Sequence, residues 1–546
     1  MNPIHLVCHS PLEKIDPFLT AGLSPVSRLF GIPGQTLSIQ VACTADSEYA
    51  EDLYTCISAD CPGCTVEIFR VESVPCTYPC GPAATGAYLT RTPALIPDAL
   101  IPYSGQPVRH SSAFAQIFWL DITIPHCAPS TVLTICAHSR KGALQGSITL
   151  PLTVAACALP PQSVRHTEWF HCDCLCQAYG CEVFSPRFWQ ILKNYLAEAA
   201  AHGIDTLLTP VITPSLDIEP NCRRMPCQLV TISESPKGLH FDFSNLEKWV
   251  SLAQECGIRY FEIAPFFTQW GAQYAAEIYF QTPDGPVSRF GWDTPAFSDD
   301  FRSFLGEFLP ALVQELKDLG ILQRTYFHIS DEPSLENMEN YRTARDHIAP
   351  YLQDCRIIDA LSDHRFWEEG LVSIPVVSED HLAPFLPDTK EKEIWTYFCC
   401  AQDRLVPNAF LSMPTGRGRI IGALLYVEHI RGFLHWGYNF WSSQFSKSPI
   451  DPYRVTDADG GFPSGDGFLV YPGADGAVVP SIRLKALRDG FQDHRSLCLL
   501  ESKLGRQAVL DLIFSTLGHI SFTEYPVDPQ AFEKFEQALC TALGTI

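Results

Sequence analysis

Over roughly the first 160 residues, apolar and polar positions alternate in short runs. Leu37-Ser38-Ile39-Gln40-Val41 and Ile148-Thr149-Leu150-Pro151-Leu152-Thr153-Val154 follow a period of two, and the stretch from Phe114 to Ile124 is rich in aromatic and β-branched residues. Clusters such as Ile32-Pro33-Gly34 separate such runs. A period of two places alternate side chains on opposite faces of a strand, so this part is expected to be an all-β sandwich over 1–160, with Pro160-Pro161 as linker.

The pattern then changes to strand alternating with helix. Trp169-Phe170 is expected in the first strand. Ser185-Pro186 starts a helix whose Phe188, Ile191, Leu192, Tyr195, Leu196 and Ala199 share one face, and Gly203 ends it. Thr206-Leu207-Leu208 is a second strand. Ser244-Asn245-Leu246-Glu247 has capping-box spacing, and the helix it opens runs to Gly257. Arg259 to Ile263 is a third strand. A helix with Phe301, Phe304, Leu305, Phe308, Leu312, Val313 and Leu316 on one face follows, with Pro310 as a kink point. Tyr326 to Ile329, Arg356 to Ile358, Ile374 to Val377, Ile394 to Tyr397 and Gly432 to Trp436 complete eight strands. The expected fold class is α/β, a TIM (β/α)8 barrel over 161–500 behind the β-sandwich, with 501–546 as a helical tail packed on the barrel. An open doubly wound sheet is the alternative, but no Gly-rich phosphate fingerprint follows the first strand.

Composition narrows the partners. The 546 residues are 46% hydrophobic and 18% charged, enough for two or three packed domains. No apolar run reaches the roughly 20 residues that span a bilayer. Lys and Arg number 38 against 61 Asp and Glu, a net charge of −23. Such a surface repels phosphate backbones and anionic lipid, so neither nucleic acid nor membrane is expected as a partner. Met1 to Ser10 lacks the basic start and apolar core of a signal peptide, so the 22 Cys read as reduced thiols and the expected location is cytoplasmic. Nothing in the sequence sets an oligomeric state.

Active sites of such barrels lie at the C-terminal ends of the strands. The fourth strand ends in Ser330-Asp331-Glu332-Pro333. Two adjacent carboxylates repel, so one pKa rises, as a general acid requires near neutral pH. Glycoside hydrolysis commonly uses a second carboxylate as nucleophile or base, yet the seventh strand ends Trp395-Thr396-Tyr397-Phe398 and supplies none. Glu262, Asp359 and Asp363 lie at other strand ends. The other solution is substrate assistance, in which the 2-acetamido group of an N-acetylhexosamine attacks its own anomeric carbon. Asp331 would then hold the acetamido nitrogen, Glu332 would act as acid/base, and Tyr397 would hydrogen-bond the acetamido oxygen. Sugar C–H faces stack on aromatic rings, and Trp270, Trp292, Trp395, Trp436, Tyr438 and Trp441 fall near the proposed rim. Asp293, Asp359 and Asn439 are candidates for the hydroxyls. Trp441 fits a core position equally well.

Several segments, taken together, are familiar. FHISDEPS (Phe327 to Ser334), FTQWG (Phe267 to Gly271), FGWDT (Phe290 to Thr294), IIDALSD (Ile357 to Asp363), GFLHWGYNFW (Gly432 to Trp441) and PSGDGFLVYPG (Pro463 to Gly473) resemble the catalytic domain of glycoside hydrolase family 123, and WFHCDCL (Trp169 to Leu175) and PSIRLKALRDG (Pro480 to Gly490) fit the same pattern. The resemblance implies a β-N-acetylgalactosaminidase acting by substrate assistance, with a β-sandwich before the barrel, Asp331 as acetamido stabiliser and Glu332 as acid/base. The expected partner is a small glycan or oligosaccharide. The rival readings are a β-N-acetylglucosaminidase, a glycosidase using Glu262 or Asp359 as protein nucleophile, and a non-catalytic carbohydrate-binding protein.

Cys61-Pro62-Gly63-Cys64, near Cys56, Cys76 and Cys80, and the run Cys172, Cys174, Cys176, Cys181 have zinc-like density. Cys172 and Cys174 alternate as in a strand, however, and buried apolar thiols fit as well. Neither a metal nor another cofactor is expected. His171 and Asp173 are candidate sugar contacts at the first strand end, and His328 is expected to support the acids from inside the barrel.

Overall fold

The computed structural model describes residues 4–20, 22–45, 54–109, 111–220 and 222–544. The first part packs two five-stranded sheets face to face. One has the order Ile4–His9, Thr36–Ala45, Gln116–Thr123, Thr65–Cys76, Ala94–Tyr103, and the other Leu29–Gly31, Leu144–Val154, Thr131–Ser139, Tyr54–Asp60, Val108–Arg109. Ile39, Val41, Phe118, Leu120, Leu133, Ile135 and Leu150 fill the space between them, as the alternation requires. In the sheet that holds Thr36–Ala45 the polar alternates are also buried, which a free-standing sandwich does not do: Ser38 and Asp121 meet Arg488, and the Gln40 amide donates to the carbonyls of Ser10 and Glu13. In Leu144–Val154 of the other sheet, Thr149 and Thr153 face solvent.

Behind it, eight parallel strands close into a barrel in chain order: Arg165–Glu168, Thr206–Thr209, Tyr260–Ile263, Thr325–Phe327, Arg356–Leu361, Ile374–Ser378, Trp395–Phe398 and Gly432–His435. The first pairs with the last through Thr167 and Leu434. Tyr326, Ile358, Val376, Trp395 and Leu434 pack inside. Gly432 is required there, because a Cβ would lie 2.1 Å from the Trp395 ring.

The first strand stops at Glu168, so Trp169 and Phe170 lie just past it. Cys172 and Cys174 belong to a helix, Cys172–Tyr179, and not to a strand. Cys172, Leu175, Cys176 and Tyr179 recur with helical spacing, and Gly180 closes the turn at φ 58°. Ser185 caps Pro186–Ala201 as expected, accepting from the Phe188 N–H. Ser244 is the first helical residue of Ser244–Glu255 rather than its cap; its N–H is satisfied by Asp242. After the sixth strand only single 3-10 turns follow, at Glu379–His381 and Leu386–Asp388.

The helix Ile482–Leu504, capped by Ser481, lies between barrel and sandwich. Helix Pro529–Gly544 packs on that helix and also on Leu29–Gly31 and Leu144–Val154 of the sandwich. All 22 cysteines are free thiols. Among the described residues no helix is long and apolar enough to cross a membrane, and no three His, Cys, Asp or Glu side chains are grouped as metal ligands.

Candidate active site

A cleft of about 660 Å³, counting the space open to solvent at its mouth, lies at the C-terminal end of the barrel strands. Its floor is Trp169, Ala360 and Leu434; its walls carry Asp217, Gln269, Trp270, Asp331, Glu332, Tyr397, Cys399, Cys400, Trp436 and Phe462.

The fourth strand leaves the ladder after Phe327, and the turn that follows is built by side chains. The Ile329 N–H donates to both carboxylate oxygens of Asp359 at 3.1 Å. Ser330 Oγ donates to the Thr268 carbonyl and accepts from the Ala272 N–H, while the Trp270 N–H donates to the Asp331 carbonyl at 2.8 Å. The loop after the third strand is thereby clasped to the acid pair. Gly271 is needed at the clasp, since a Cβ would lie 2.3 Å from Asn337. Glu332, Trp270 and Asp217 all have positive φ, at 44°, 63° and 44°. Three non-glycine residues in that region around one cleft are backbone strain held in place by the surroundings, a pattern concentrated at functional sites.

The carboxyl of Asp331 faces the cleft without a hydrogen-bond partner among the described residues. Burial first, and then the charge of Glu332, hold its pKa well above the usual carboxylate range. Glu332 accepts a 2.6 Å hydrogen bond from Tyr397 Oη. Burial raises its pKa as well; the Tyr397 bond acts against this and the charge of Asp380 adds to it. Asp217, on the loop after the second strand, accepts from the Phe445 N–H, and burial pushes its pKa up to about 6.

Beneath this pair runs a buried polar chain. His328 Nε2 lies 2.6 Å from Glu262 and Nδ1 lies 3.0 Å from Asp359. Glu262 also accepts from Thr167 Oγ1 and Trp169 Nε1, and Asp359 from Tyr341 Oη. Burial alone would depress the His328 pKa, but its hydrogen bonds to Asp359 and Glu262 and their charges raise it to about 10. His328 is therefore an imidazolium below the acid pair, as expected of a supporting group.

Of the residues singled out from sequence, Asp331, Glu332, Tyr397, Trp270 and Trp436 meet in the cleft. Trp270 stands at its mouth, 43% exposed. The other expected sugar contacts do not line it. Glu262 and Asp359 are sealed below it with their oxygens occupied. Trp395 begins its strand, so its ring packs on Tyr326 deep in the barrel. Tyr438 donates to the Tyr195 carbonyl, Trp441 to that of Val470, and Asn439 ties down both backbone groups of His171. Arg224 captures His171 and Asp173, donating to His171 Nδ1 at 3.0 Å and to both Asp173 oxygens at 2.7 Å. Burial and then the Arg224 charge push His171 down to about 3, so it stays neutral. Asp363 accepts from the backbone N–H and the guanidinium of Arg365, Trp292 packs on Tyr274, and Asp293 is exposed.

The sequence reading missed Asp217, Gln269, Cys399, Cys400 and Phe462. Gln269 sits inside the FTQWG segment and Phe462 directly precedes PSGDGF, so both bordered a visible signal. Asp217 and Arg224 lie in a loop with no periodicity.

The sandwich reaches this region. Thr77 donates to Asp457, and Tyr78 exchanges hydrogen bonds with Ser464 on the segment that carries Phe462 and Asp466. Asp466 accepts from Trp436 Nε1 at 3.0 Å and so orients a ring of the cleft wall.

The arrangement therefore offers two adjacent acids with raised pKa values, a tyrosine on one of them and indole rings around them. A protein family model described as the glycoside hydrolase 123 catalytic domain matches residues 169–500. Among solved structures, a family 123 glycoside hydrolase from Clostridium perfringens, described in a study of glycolipid glycan hydrolysis, aligns over 100% of this chain and 98% of its own. The TM-score is 0.71 and the identity 14%, a likeness of fold. A β-glucuronidase from Parabacteroides merdae aligns over 90% of this chain and 52% of its own at 8% identity, and a cyclomaltodextrinase over 85% and 83% at 9%. Their TM-scores of 0.33 and 0.29 carry no argument. No curated protein matches the chain. The family model covers well over half of the sequence, including the acid pair and every residue of the cleft, and on that match the chain belongs to glycoside hydrolase family 123.

Proposed function

We propose that this protein is an exo-acting, retaining β-N-acetylgalactosaminidase working by substrate assistance. The observation that carries the reading is the contrast among the barrel acids. Glu262 and Asp359, the alternative protein nucleophiles, are closed off by hydrogen bonds, whereas Asp331 and Glu332 face the cleft side by side. Adjacent acids suit a mechanism with one proton donor and one stabiliser of the substrate's own nucleophile.

In this reading a proton held above the usual carboxylate range resides on Glu332 when substrate is bound. Glu332 gives it to the glycosidic oxygen as the acetamido oxygen closes on the anomeric carbon, forming an oxazolinium ring. Asp331, as carboxylate, accepts the acetamido N–H and balances the developing charge. The Tyr397 hydroxyl, poised at Glu332, lies within reach of the same group. Glu332 then takes a proton from water, which opens the ring with net retention. Trp169, Trp270 and Trp436 offer faces for sugar rings. Membership of family 123 supports hydrolysis, and the similar Clostridium perfringens structure, described with glycolipid glycans, agrees with a glycan as substrate. The free thiols support a reducing, cytoplasmic location.

The test is nitrophenol release from aryl β-N-acetylgalactosaminide, its gluco epimer and the plain galactoside, followed by a series with progressively fluorinated acetamido groups. Turnover confined to acetamido sugars, falling with each fluorine, is the expected result. Equal cleavage of the plain galactoside would sink it. Asp217, the remaining carboxylate on the cleft wall, gives that outcome a name: a covalent sugar trapped on Asp217 would replace substrate assistance with a protein nucleophile.

A further inference from the structure

Cys399 and Cys400 are consecutive, directly follow the strand that carries Tyr397, and both line the cleft beside Glu332. Both are partly exposed, and their thiols are in hydrogen-bond contact. The proposed mechanism gives neither of them a task. Two other thiol pairs are in contact, Cys61 with Cys64 and Cys176 with Cys181. In each of those one partner is buried, Cys61 or Cys176, and neither pair reaches the cleft.

The surroundings decide which chemistry this dithiol can take. Direct oxidation would close a ring through adjacent residues, whose Cα atoms are ~3.8 Å apart across a trans peptide, short of the roughly 4.4 Å at the lower end of disulfide geometry. Hydrogen bonds also hold the backbone of Cys399 in place. The Cys399 N–H donates to Gln402 Oε1 at 2.9 Å, and its carbonyl accepts from Asn408 Nδ2 at 2.9 Å and from the Gln402 N–H. Contact with Cys400 first, then burial and the nearby Glu332, also keep the Cys399 thiol protonated, which slows attack on peroxide. A trivalent arsenic centre avoids both obstacles, because it reacts with neutral thiols and spans the two sulfurs itself.

We propose that the Cys399–Cys400 dithiol is a binding site for trivalent arsenicals and that its occupation closes the cleft over Glu332. With phenylarsine oxide the step balances without redox change. Two As–S bonds form, the arsenic–oxygen bond breaks, and both thiol protons leave with that oxygen as one water. Only the closing of the cleft rests on the hydrolase reading; the binding does not.

The full-length protein, Cys399→Ala and Cys400→Ala are treated with stoichiometric phenylarsine oxide. Each is assayed against its own untreated rate on the aryl N-acetylgalactosaminide and mapped by peptide mass. We expect the wild type to lose at least tenfold of its rate and to gain one phenylarsenic group on the peptide holding both cysteines. Excess 2,3-dimercaptopropanol should restore the rate where excess 2-mercaptoethanol does not. Either alanine variant should lose no more than twofold, and hydrogen peroxide should leave the wild-type rate unchanged over the same interval. A label on a different peptide, or variants inhibited as strongly as the wild type, overturns the proposal. If the protein hydrolyses none of the aryl glycosides, the mass map still decides whether the dithiol binds arsenic, and only the hydrolase reading fails.

Discussion

Two groups of carboxylates are withdrawn from water in this molecule, and they differ in their partners. At the contact of barrel and sandwich, Asp121 faces Arg488 and Lys485 at 2.9 Å and accepts from Ser38 and Trp119, while Asp98 faces Arg483 and accepts from Tyr471. At the cleft, Asp331 has no partner among the described residues, Glu332 has a tyrosine, and Asp217 has a backbone N–H. Burial pushes Asp121, Asp331, Glu332 and Asp217 toward the protonated form. At Asp121 the Arg488 and Lys485 charges outweigh burial and hold the pKa far below the ordinary range, whereas at Asp331 the neighbouring charge adds to burial. Paired acids fix two domains in register; unpaired ones keep a proton within reach of a ligand. Cation pairing is not sufficient by itself, since Asp493 meets Arg419 and burial still leaves its pKa raised.

The sharpest way to break the comparison is to neutralise one acid of each kind. Glu332→Gln should lower kcat/KM by about 10²–10⁴-fold, the range of a lost general acid, with an unchanged unfolding midpoint. Asp331→Asn should behave alike. Asp121→Asn should do the reverse. It leaves Lys485 with only the Glu198 carboxylate, at 3.9 Å, and Arg488 with only that of Asp489, a loss of up to about 3–5 kcal/mol, read as a lower denaturant midpoint with kcat per folded molecule retained. Were Asp121→Asn to remove activity without destabilising, or Glu332→Gln to destabilise without removing activity, the division would be mistaken.

His328 lies between the two cases, a buried cation serving two acids directly under the cleft. His328→Gln should lower both stability and kcat, because Glu262 and Asp359 lose their counter-charge and Asp359 also holds the backbone that leads into Asp331. The pH dependence follows from the sign of its shift. Its pKa is raised on folding, so its contribution is complete below about 6.5, the unfolded value. That contribution is lost as pH rises toward about 10. The wild type should therefore lose stability across that interval, and His328→Gln should lose less. Asp121 has the opposite sign: its folded pKa is depressed, so its contribution is complete above the ordinary carboxylate range and is lost as pH falls below that range toward the folded pKa.

What the sequence disclosed follows the same physical division. The strands were legible because short apolar runs ended at Gly, Pro and polar clusters, and the acid pair because its two members are adjacent. Tyr397 and Trp436 were legible because a strand's C-terminal end already places them at the mouth, and Trp270 because it stands beside Gly271 in the loop after the third strand. Trp395 misled because it stands at the start of the same four-residue strand whose far half carries Tyr397. His171 and Asp173 follow the first strand at the start of a helix, but the group that captures them, Arg224, lies 51 residues beyond Asp173, and no local pattern signals such a pairing. The buried face of Thr36–Ala45 was hidden for a related reason. Ser38 looks like a solvent-facing alternate until Arg488, 450 residues away, covers it.

The finest adjustment in the cleft is the hydrogen bond from Tyr397 to Glu332. It stabilises the carboxylate and is the one influence acting to lower a pKa that burial raises. Tyr397→Phe removes it without opening a large space. A single hydrogen bond is worth about 0.5–1.5 kcal/mol, so kcat/KM should fall by no more than about tenfold. The pH profile is the more telling readout. Glu332 must be protonated to donate to the leaving oxygen, so activity falls as pH rises through its pKa. Losing the tyrosine raises that pKa, and the alkaline limb of kcat/KM should move to higher pH while the rate at its plateau drops. A limb that moved to lower pH, or stayed in place, would mean that Glu332 is not the group titrating there, and the assignment of the acid would have to pass to its neighbour Asp331.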